Sequence, residues 1–221
     1  MGKEKALDVD DAYALETPED SVRLYGEWAP TYDTDFVTQV GYVVYKRVAE
    51  QLVKVKERID GPVLDVGCGT GIVGACLHEK GIDMIDGLDI SKRMLTEAGK
   101  KTGSSGDRVY RKLIQADLTI GTDIVDDCYA GLISAGTFTH GHLGTEPLDE
   151  LWRVAAPGAQ CAIGVRTTHF AAAGFAEKLS ADVRDGKITA PELIEVKMYS
   201  GGTPKKEHAN DKAFIVVCQV L

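Results

Sequence analysis

Glycines recur at every second position in one short segment of the chain. Gly67, Gly69 and Gly71 follow a run of apolar residues, and Asp65 stands two positions before the first of them. Glycines spaced in this way permit a tight turn and a close approach of the backbone to a ligand. The frame from Gly69 to Gly74 also satisfies the dinucleotide-binding pattern, which is a weak signal when it stands alone.

Acidic residues at the ends of three predicted strands narrow the choice of ligand. Asp65 would repel a pyrophosphate but suits a cationic amino group. Asp89 lies about 20 residues beyond Gly67, where an acid can accept hydrogen bonds from both hydroxyls of a ribose. Asp117 can accept from an adenine amino group, although it can equally form a turn, and Asp89 can equally cap a helix. The apolar neighbours that would wall such a site are Ile90 and Leu118.

Histidines follow the fourth and fifth predicted strands, at the same edge of the predicted sheet. His140 and His142 lie in the first of these loops and His169 in the second. A histidine with a pKa of about 6.5 can accept a proton from an incoming hydroxyl or amine. We therefore take His140 and His169 as candidate catalytic residues, while substrate binding or loop capping stays open. The spacing of the three histidines is not diagnostic of a metal, so no metal site is predicted.

The elements that must position these residues alternate along the chain. Alternating strands and helices predict a parallel sheet with helices on both faces, and such sheets bind ligands beyond the carboxyl ends of their strands. Two β-rich runs at the end of the chain predict an antiparallel hairpin. We predict an α/β fold with a Rossmann-like, doubly wound, seven-stranded sheet that is mostly parallel. The predicted strands are 63–66, 84–90, 109–116, 129–134, 160–165, 192–200 and 213–221, and the predicted helices include 38–57, 71–81, 147–156 and 170–185, with a short helix or turn at 122–127.

The part of the chain before the first strand has a different character. Residues 1–20 are acidic and weakly periodic, which predicts a loose arm. Residues 21–36 contain a dense aromatic cluster that includes Trp28 and Tyr32. Such a cluster can be ordinary core, or it can form a lid that excludes water from a site. We predict two regions, an N-terminal arm with a helical lid at 1–57 and a ligand-binding domain at 58–221.

The segment from Val63 to Gly71 resembles the signature of class I S-adenosylmethionine-dependent methyltransferases. Asp89, Asp117 and the stretch 151–158 fall where that family places its later motifs, and the likeness covers about residues 60–221. The segment 134–142 is similar to that of the Williams–Beuren-region methyltransferase-like proteins. The chain lacks the Asn/Asp-Pro-Pro-Tyr motif of enzymes that methylate amides or exocyclic amines, which speaks against DNA adenine and glutamine substrates.

The resemblance implies S-adenosyl-L-methionine as cofactor and a role for each matched residue. Asp65 would orient the methionine amino group, directly or through water, and Gly67 and Gly69 would admit the methionine end. Asp89 would hold the ribose and Asp117 the adenine. Ser134 would offer a backbone carbonyl, and the aromatic residues would close over the sulfonium. The predicted cofactor-binding residues are Asp65, Gly67, Cys68, Gly69, Gly71, Asp89, Ile90, Asp117, Leu118, Ser134, Tyr32 and Trp28.

Composition limits the partners. The chain has 221 residues, a formal net charge of −9 and five cysteines without a Cys-x-x-Cys pair. An acidic balance disfavours nucleic acid, and no apolar run reaches the roughly 20 residues that span a bilayer. We expect a cytoplasmic enzyme that moves a methyl group to an O, N or S atom of a small-molecule acceptor. A non-catalytic S-adenosylmethionine-binding or scaffold protein is the alternative, and an NAD-dependent oxidoreductase using Tyr42 and Lys46 is a weaker one.

Overall fold

The computed structural model of the protein describes residues 9–221, and its centre is a seven-stranded sheet. The strand order is β3-β2-β1-β4-β5-β7-β6. Strands β1 to β5 pair in parallel, whereas β7 runs antiparallel to both β5 and β6. The predicted fold class is therefore confirmed. The strands are β1 Val63–Val66, β2 Ile85–Asp89, β3 Lys112–Gln115, β4 Tyr129–Phe138, β5 Ala155–Arg166, β6 Glu192–Lys197 and β7 Lys212–Gln219.

Helices cover both faces of this sheet. Those of the first face contribute Val48, Leu77 and Leu95 to one buried cluster, and those of the second contribute Leu151 and Leu179 to another. Residues alternate between the two clusters along β1, because successive side chains of a strand point to opposite faces. The first face carries α3 Val44–Lys54, α4 Ile72–His78 and α5 Lys92–Ala98, and the second carries α6 Leu148–Val154, α7 Thr167–Ala172 and α8 Phe175–Arg184.

Several predicted boundaries are wrong. The helix predicted at 38–57 begins only at Val44, because Tyr42 forms an extended bridge with Tyr199. The helix predicted at 170–185 is divided by Gly174, whose φ of +70° interrupts it before α8. Residues 122–127 form a bend and a turn, which is the second of the two forms predicted for them. The fourth strand does not end at 134 but continues to Phe138 through a shift in register.

The N-terminal part is more ordered than the sequence suggests. Residues 1–8 of the predicted loose arm lie outside the described residues, but α1 Val9–Tyr13 and α2 Pro18–Trp28 occupy much of the rest. Thr17 caps α2 by accepting a hydrogen bond from the Asp20 amide at 3.2 Å. A π-helical segment, Asp33–Gln39, follows. Within residues 9–221, no helix is both long and apolar enough to cross a membrane.

Candidate active site

A cavity of about 350 Å³ lies at the carboxyl ends of the central strands. The strand order reverses between β1 and β4, and this is where open α/β sheets bind their ligands. We call it the large cavity. Its described walls come from the loops after β1, β2 and β3, from the end of β4, and from the N-terminal segment. The predicted residues in these walls are Tyr32, Gly67, Cys68, Gly69, Asp89, Ile90, Asp117 and Leu118.

The glycines of the loop after β1 have different tasks. A Cβ at Gly67 would overlap the side chain of Thr137, and one at Gly71 would lie 2.8 Å from a ring carbon of Tyr110. Gly69 differs, because its φ is +53° and no atom lies within 4 Å of a Cβ built there. Gly69 therefore adjoins open space, whereas Gly67 and Gly71 are required for packing. Gly71 is not part of the described cavity wall, so its predicted cofactor contact is not found.

Replacing Gly69 with alanine should lower cofactor affinity beyond its effect on stability. A left-handed backbone costs an L-residue about 1 kcal/mol, and a methyl group placed in the cavity opposes close approach of a ligand. Gly201→Ala is the matched control, since Gly201 has a φ of +73° and equally open surroundings on a surface loop. Thermal unfolding should shift similarly in both variants. Calorimetry should show about a ten-fold weaker S-adenosylhomocysteine affinity in Gly69→Ala alone, and equal affinities would contradict the placement.

Asp89 ties two adjacent loops together. One carboxylate oxygen accepts a hydrogen bond from the Gly69 amide at 2.8 Å, and the other accepts from the Ser91 amide at 2.8 Å. Burial raises the pKa of this carboxyl, while its bonds to backbone amides oppose the shift. The cap of α5 is Ser91 itself, which accepts from the Met94 amide. Asp89 thus holds the glycine loop against the end of β2 and remains in the cavity wall.

Asp117 serves partly as a turn former. Its Oδ1 accepts from the amide of Thr119 at 2.8 Å and from the hydroxyl of the same residue at 2.7 Å. Its Oδ2 has no hydrogen-bond partner among the described residues and belongs to a residue of the cavity wall. One oxygen therefore shapes the loop, and the other is available to an amino group. Leu118, which is buried, supplies the apolar side of this corner.

Asp65 lies outside the described cavity wall. This position does not support the prediction that its side chain contacts a ligand directly. Its side chain is fully buried, and Oδ2 accepts hydrogen bonds from the Tyr110 hydroxyl at 2.6 Å and from the Gly74 amide at 3.1 Å. Burial raises its pKa to about 7, although both hydrogen bonds lower it. Oδ1 is buried without a partner. Asp65 therefore fixes the start of α4 from below the loop.

Two further cofactor predictions also fall outside the large cavity. Ser134 is buried within β4, and its hydroxyl donates to the Val66 carbonyl at 2.8 Å. Because β4 continues past it, the wall is formed by Ala135, Gly136 and Thr137 instead. Trp28 lies behind Tyr32 in a second, smaller space. Cys68 does line the cavity, and burial raises the pKa of its thiol.

The smaller space is a chamber of about 40 Å³, here called the aromatic chamber. Six aromatic side chains form most of its wall, joined by aliphatic residues and a few polar ones. Several of the rings pack edge to face, as Trp28 and Tyr32 do with 5.2 Å between their centroids. The residues that line both spaces are Tyr25, Tyr32, Tyr42, Gly136 and His142, and those that line the chamber only include Trp28, Phe36, Val44, Phe138, Thr139, Gly164, Arg166 and Met198.

The structure places a different histidine at the site from those predicted. His140 and His169 line neither space, and their rings pack against each other with centroids 5.1 Å apart. His169 uses Nε2 to donate to the Leu143 carbonyl at 2.9 Å. Both therefore support the loop after β4. His142 is the histidine in the walls of both spaces.

His142 has one defined tautomer. Its Nδ1 lies 2.9 Å from the His140 carbonyl oxygen, which can only accept, so Nδ1 carries the proton. Its Nε2 then accepts from the Tyr25 hydroxyl at 2.8 Å. Burial lowers the pKa of His142, which favours the neutral ring. The pair presents a basic nitrogen and a hydroxyl at the boundary between the two spaces.

The structure gives less support to an oxidoreductase or to a metal site made of the loop histidines. Lys46 of the oxidoreductase alternative lies over the Tyr45 ring and outside the described walls of both spaces. Within residues 9–221, the side chains close enough together to hold a metal ion are Asp10, Glu207 and His208, a group that includes none of the loop histidines. Sequence reasoning did not single out Tyr42 or Thr137 as wall residues. The bend at the end of β4 depends on the positive φ of Gly136. In the sequence, the only sign of this bend is the glycine itself.

The sheet order, the glycine loop and the acids at the strand ends define a class I methyltransferase fold. Residues 63–158 match the family model described as a methyltransferase domain. This match agrees with the likeness of the fold to class I S-adenosylmethionine-dependent methyltransferases, and it indicates S-adenosyl-L-methionine as the cofactor. The residues present fit this group, because Gly69 leaves space for it and Asp89 and Asp117 offer acceptor oxygens.

Relatives of known sequence extend the comparison. Methyltransferase-like protein 27 of Homo sapiens is 27% identical over 154 residues, which make up 66% of this chain and 58% of the relative. Methyltransferase GfsG of Streptomyces halstedii is 30% identical over 145 residues, or 63% of this chain and 49% of the relative. The chain thus spans only about half the length of these proteins.

One solved structure shows the same fold with ligands bound. It is the geranyl diphosphate C-methyltransferase of Streptomyces coelicolor A3(2), in complex with Mg²⁺, geranyl diphosphate and S-adenosyl-L-homocysteine. The TM-score is 0.62 at 12% identity, and the match covers 95% of this chain and 100% of that chain. At this identity the likeness speaks for the fold and not for the acceptor.

Proposed function

We propose that the protein transfers a methyl group from S-adenosyl-L-methionine to an O, N or S atom of a small-molecule acceptor by in-line displacement. The observation that carries this proposal is the large cavity at the switch point of the sheet, with Gly69, Asp89, Asp117 and Leu118 in its wall. The bound cofactor supplies a methyl group on a positively charged sulfur. The chain has to hold it, exclude water and align the acceptor, and alignment of reactants can contribute about 7–11 kcal/mol.

Each wall residue has a task in this proposal. Asp89 accepts from the ribose hydroxyls while it keeps the Gly69 amide in place. The Oδ2 atom of Asp117 accepts from the adenine amino group, and Ile90 and Leu118 pack against the base. Asp65 acts only indirectly, through Tyr110 and the start of α4. These roles follow from the walls described above and from the type of each side chain.

The Tyr25–His142 pair would receive the proton of the acceptor. Transfer forms a bond between the nucleophilic atom and the methyl carbon and breaks the bond from that carbon to sulfur. A hydroxyl or amine nucleophile must also lose a proton, and the Tyr25 hydroxyl can accept it while passing its own to His142 Nε2. His142 is suited to this because its Nδ1 proton is already committed to the His140 carbonyl. The predicted catalytic roles of His140 and His169 are replaced by support of this pair.

The walls of the two spaces provide the evidence both for a small acceptor and for a lid. Residues Thr17, Ser21 and Tyr25 of the N-terminal segment line the large cavity, and the backbone carbonyls of Ala12 and Leu15 pack on Gly141. This agrees with the lid predicted within residues 1–57. A covered site with a small second chamber suits a small molecule better than a polymer. Location in the cytoplasm stays a prediction.

Calorimetric titration tests the cofactor assignment directly. We expect S-adenosylhomocysteine to bind with a dissociation constant at least about ten-fold lower than that of NAD, because the described wall of the large cavity contains acids but no lysine or arginine to pair with a pyrophosphate. A scaffold protein that has lost the site would bind neither compound. Binding of NAD without binding of S-adenosylhomocysteine would overturn the proposal.

A further inference from the structure

The aromatic chamber is a second space that shares part of its wall with the large cavity. Its boundary with that cavity is made of Tyr25, Tyr32 and His142, together with Tyr42 and Gly136. Its volume of about 40 Å³ compares with about 10–15 Å³ for one water. The chamber thus admits a group of a few non-hydrogen atoms, and the rest of a ligand would extend into the large cavity.

Two buried polar atoms of this wall lack a partner. The Trp28 side chain is 3% exposed and the Thr139 side chain 6%, and neither Trp28 Nε1 nor Thr139 Oγ1 has a hydrogen bond. Trp152, by contrast, donates from Nε1 to Asp182 at 2.9 Å. Buried polar groups are nearly always paired, because an unpaired one loses its bond to water without compensation. An indole N–H can only donate, so the missing partner is an acceptor atom.

The charge of the wall indicates which acceptor atom this is. Among the described residues of the wall, Arg166 is the charged side chain, and no carboxylate lines the chamber. Its guanidinium donates to Asp211 at 2.7 Å, outside the wall. Burial lowers the pKa of His142, which favours its neutral form. Aromatic faces also attract cations, but a cation would lie beside Arg166 and would leave the indole N–H unpaired.

We propose that the aromatic chamber is the acceptor subsite and that it binds the carboxylate group of a small organic acid. The carboxylate would accept hydrogen bonds from Trp28 Nε1 and Thr139 Oγ1 inside an apolar enclosure. The nucleophilic atom then lies within a few bonds of the carboxylate, at the boundary where Tyr25 and His142 stand. This inference rests on the proposed function, since it assigns the other substrate of the same site.

The indole protons of the two tryptophans provide a direct measurement. The chain contains Trp28 and Trp152 as its only tryptophans, so a ¹⁵N-labelled sample shows two indole signals. With S-adenosylhomocysteine saturating, titration with propionate should move the Trp28 indole proton downfield and saturate. The Trp152 signal should stay in place, because its N–H is already bonded to Asp182. Replacing Trp28 with phenylalanine identifies its signal.

Matched probes and variants separate the outcomes. Trimethylammonium is the cationic probe and should not shift the Trp28 signal. The neutral probe is 1-propanol, whose uncharged oxygen is a weaker acceptor and should shift the signal less than propionate does. Thr139→Val should weaken propionate binding about five-fold. Thr203→Val, which changes a surface threonine, should leave propionate binding unchanged. An unchanged Trp152 signal verifies that each variant is folded. If S-adenosylhomocysteine itself does not bind, the proposed function fails. If it binds but propionate leaves Trp28 unmoved, or trimethylammonium moves it instead, the carboxylate subsite alone is overturned.

Discussion

Replacing Asp89 with alanine should weaken S-adenosylhomocysteine binding by about 100-fold or more while the protein remains folded. A hydrogen bond to a charged group contributes about 1.5–3 kcal/mol, and two such bonds to a ribose correspond to at least two factors of ten. The change also removes the acceptor of the Gly69 amide, which loosens the loop that borders the ligand. Calorimetric titration measures the affinity.

The control for this variant is Asp123→Ala. Asp123 is an exposed aspartate outside the described walls of both spaces, and its removal changes the net charge equally. We expect its affinity to equal that of the wild type. If Asp89→Ala also binds normally while its thermal unfolding is unchanged, the ribose has been placed at the wrong acid.

Replacing Asp65 with asparagine should change how stability depends on pH. The pKa of Asp65 is raised from 3.8 to about 7 in the folded protein, chiefly by burial. Between these values the folded state holds a proton that the unfolded state has released, so the free energy of unfolding falls as pH rises. Asparagine keeps an oxygen for Tyr110 and Gly74 but cannot ionise. The stability of wild type relative to Asp65→Asn should fall by about 2 kcal/mol between about pH 5 and about pH 8.

Chemical denaturation across this range is the measurement. Glu150, whose pKa is lowered to about 2 mainly by its bond to Arg153, stays ionised in both states above about pH 5 and does not disturb the comparison. Asp123→Asn serves as the exposed control and should follow the wild type at every pH. A difference between wild type and Asp65→Asn that is constant with pH would show that Asp65 ionises normally.

The sequence predicted the sheet because its signals are local. Short apolar runs, glycines and a capping serine lie next to the elements they determine, and the acids at strand ends follow from the order of the strands. The positions of Asp89 at the end of β2 and of Asp117 after β3 were therefore predictable, while their contacts with the cofactor stay predictions. The continuation of β4 to Phe138 was missed, because it depends on pairing with Val165 of β5 across a shift in register.

The remaining errors concern the direction of side chains. Asp65 lies on the same face of β1 as Val63, toward α4, and so meets Tyr110 instead of the cavity. The loop histidines differ in the groups that each ring meets, and sequence spacing does not carry that information. His142 contacts the nearby His140 carbonyl and the distant Tyr25 hydroxyl, whereas His169 bonds the distant Leu143 carbonyl.

The glycine signature of this chain specifies mostly the shape of a turn. Gly67 and Gly71 have to be small because Thr137 and Tyr110 press on them, and this demand is the same with any ligand or with none. No neighbouring atom demands a glycine at position 69, although its left-handed backbone costs another residue about 1 kcal/mol. A descendant that abandoned the cofactor would keep the first two glycines and could change the third at this smaller cost, so position 69 distinguishes binding members of a lineage from those that retain only the scaffold.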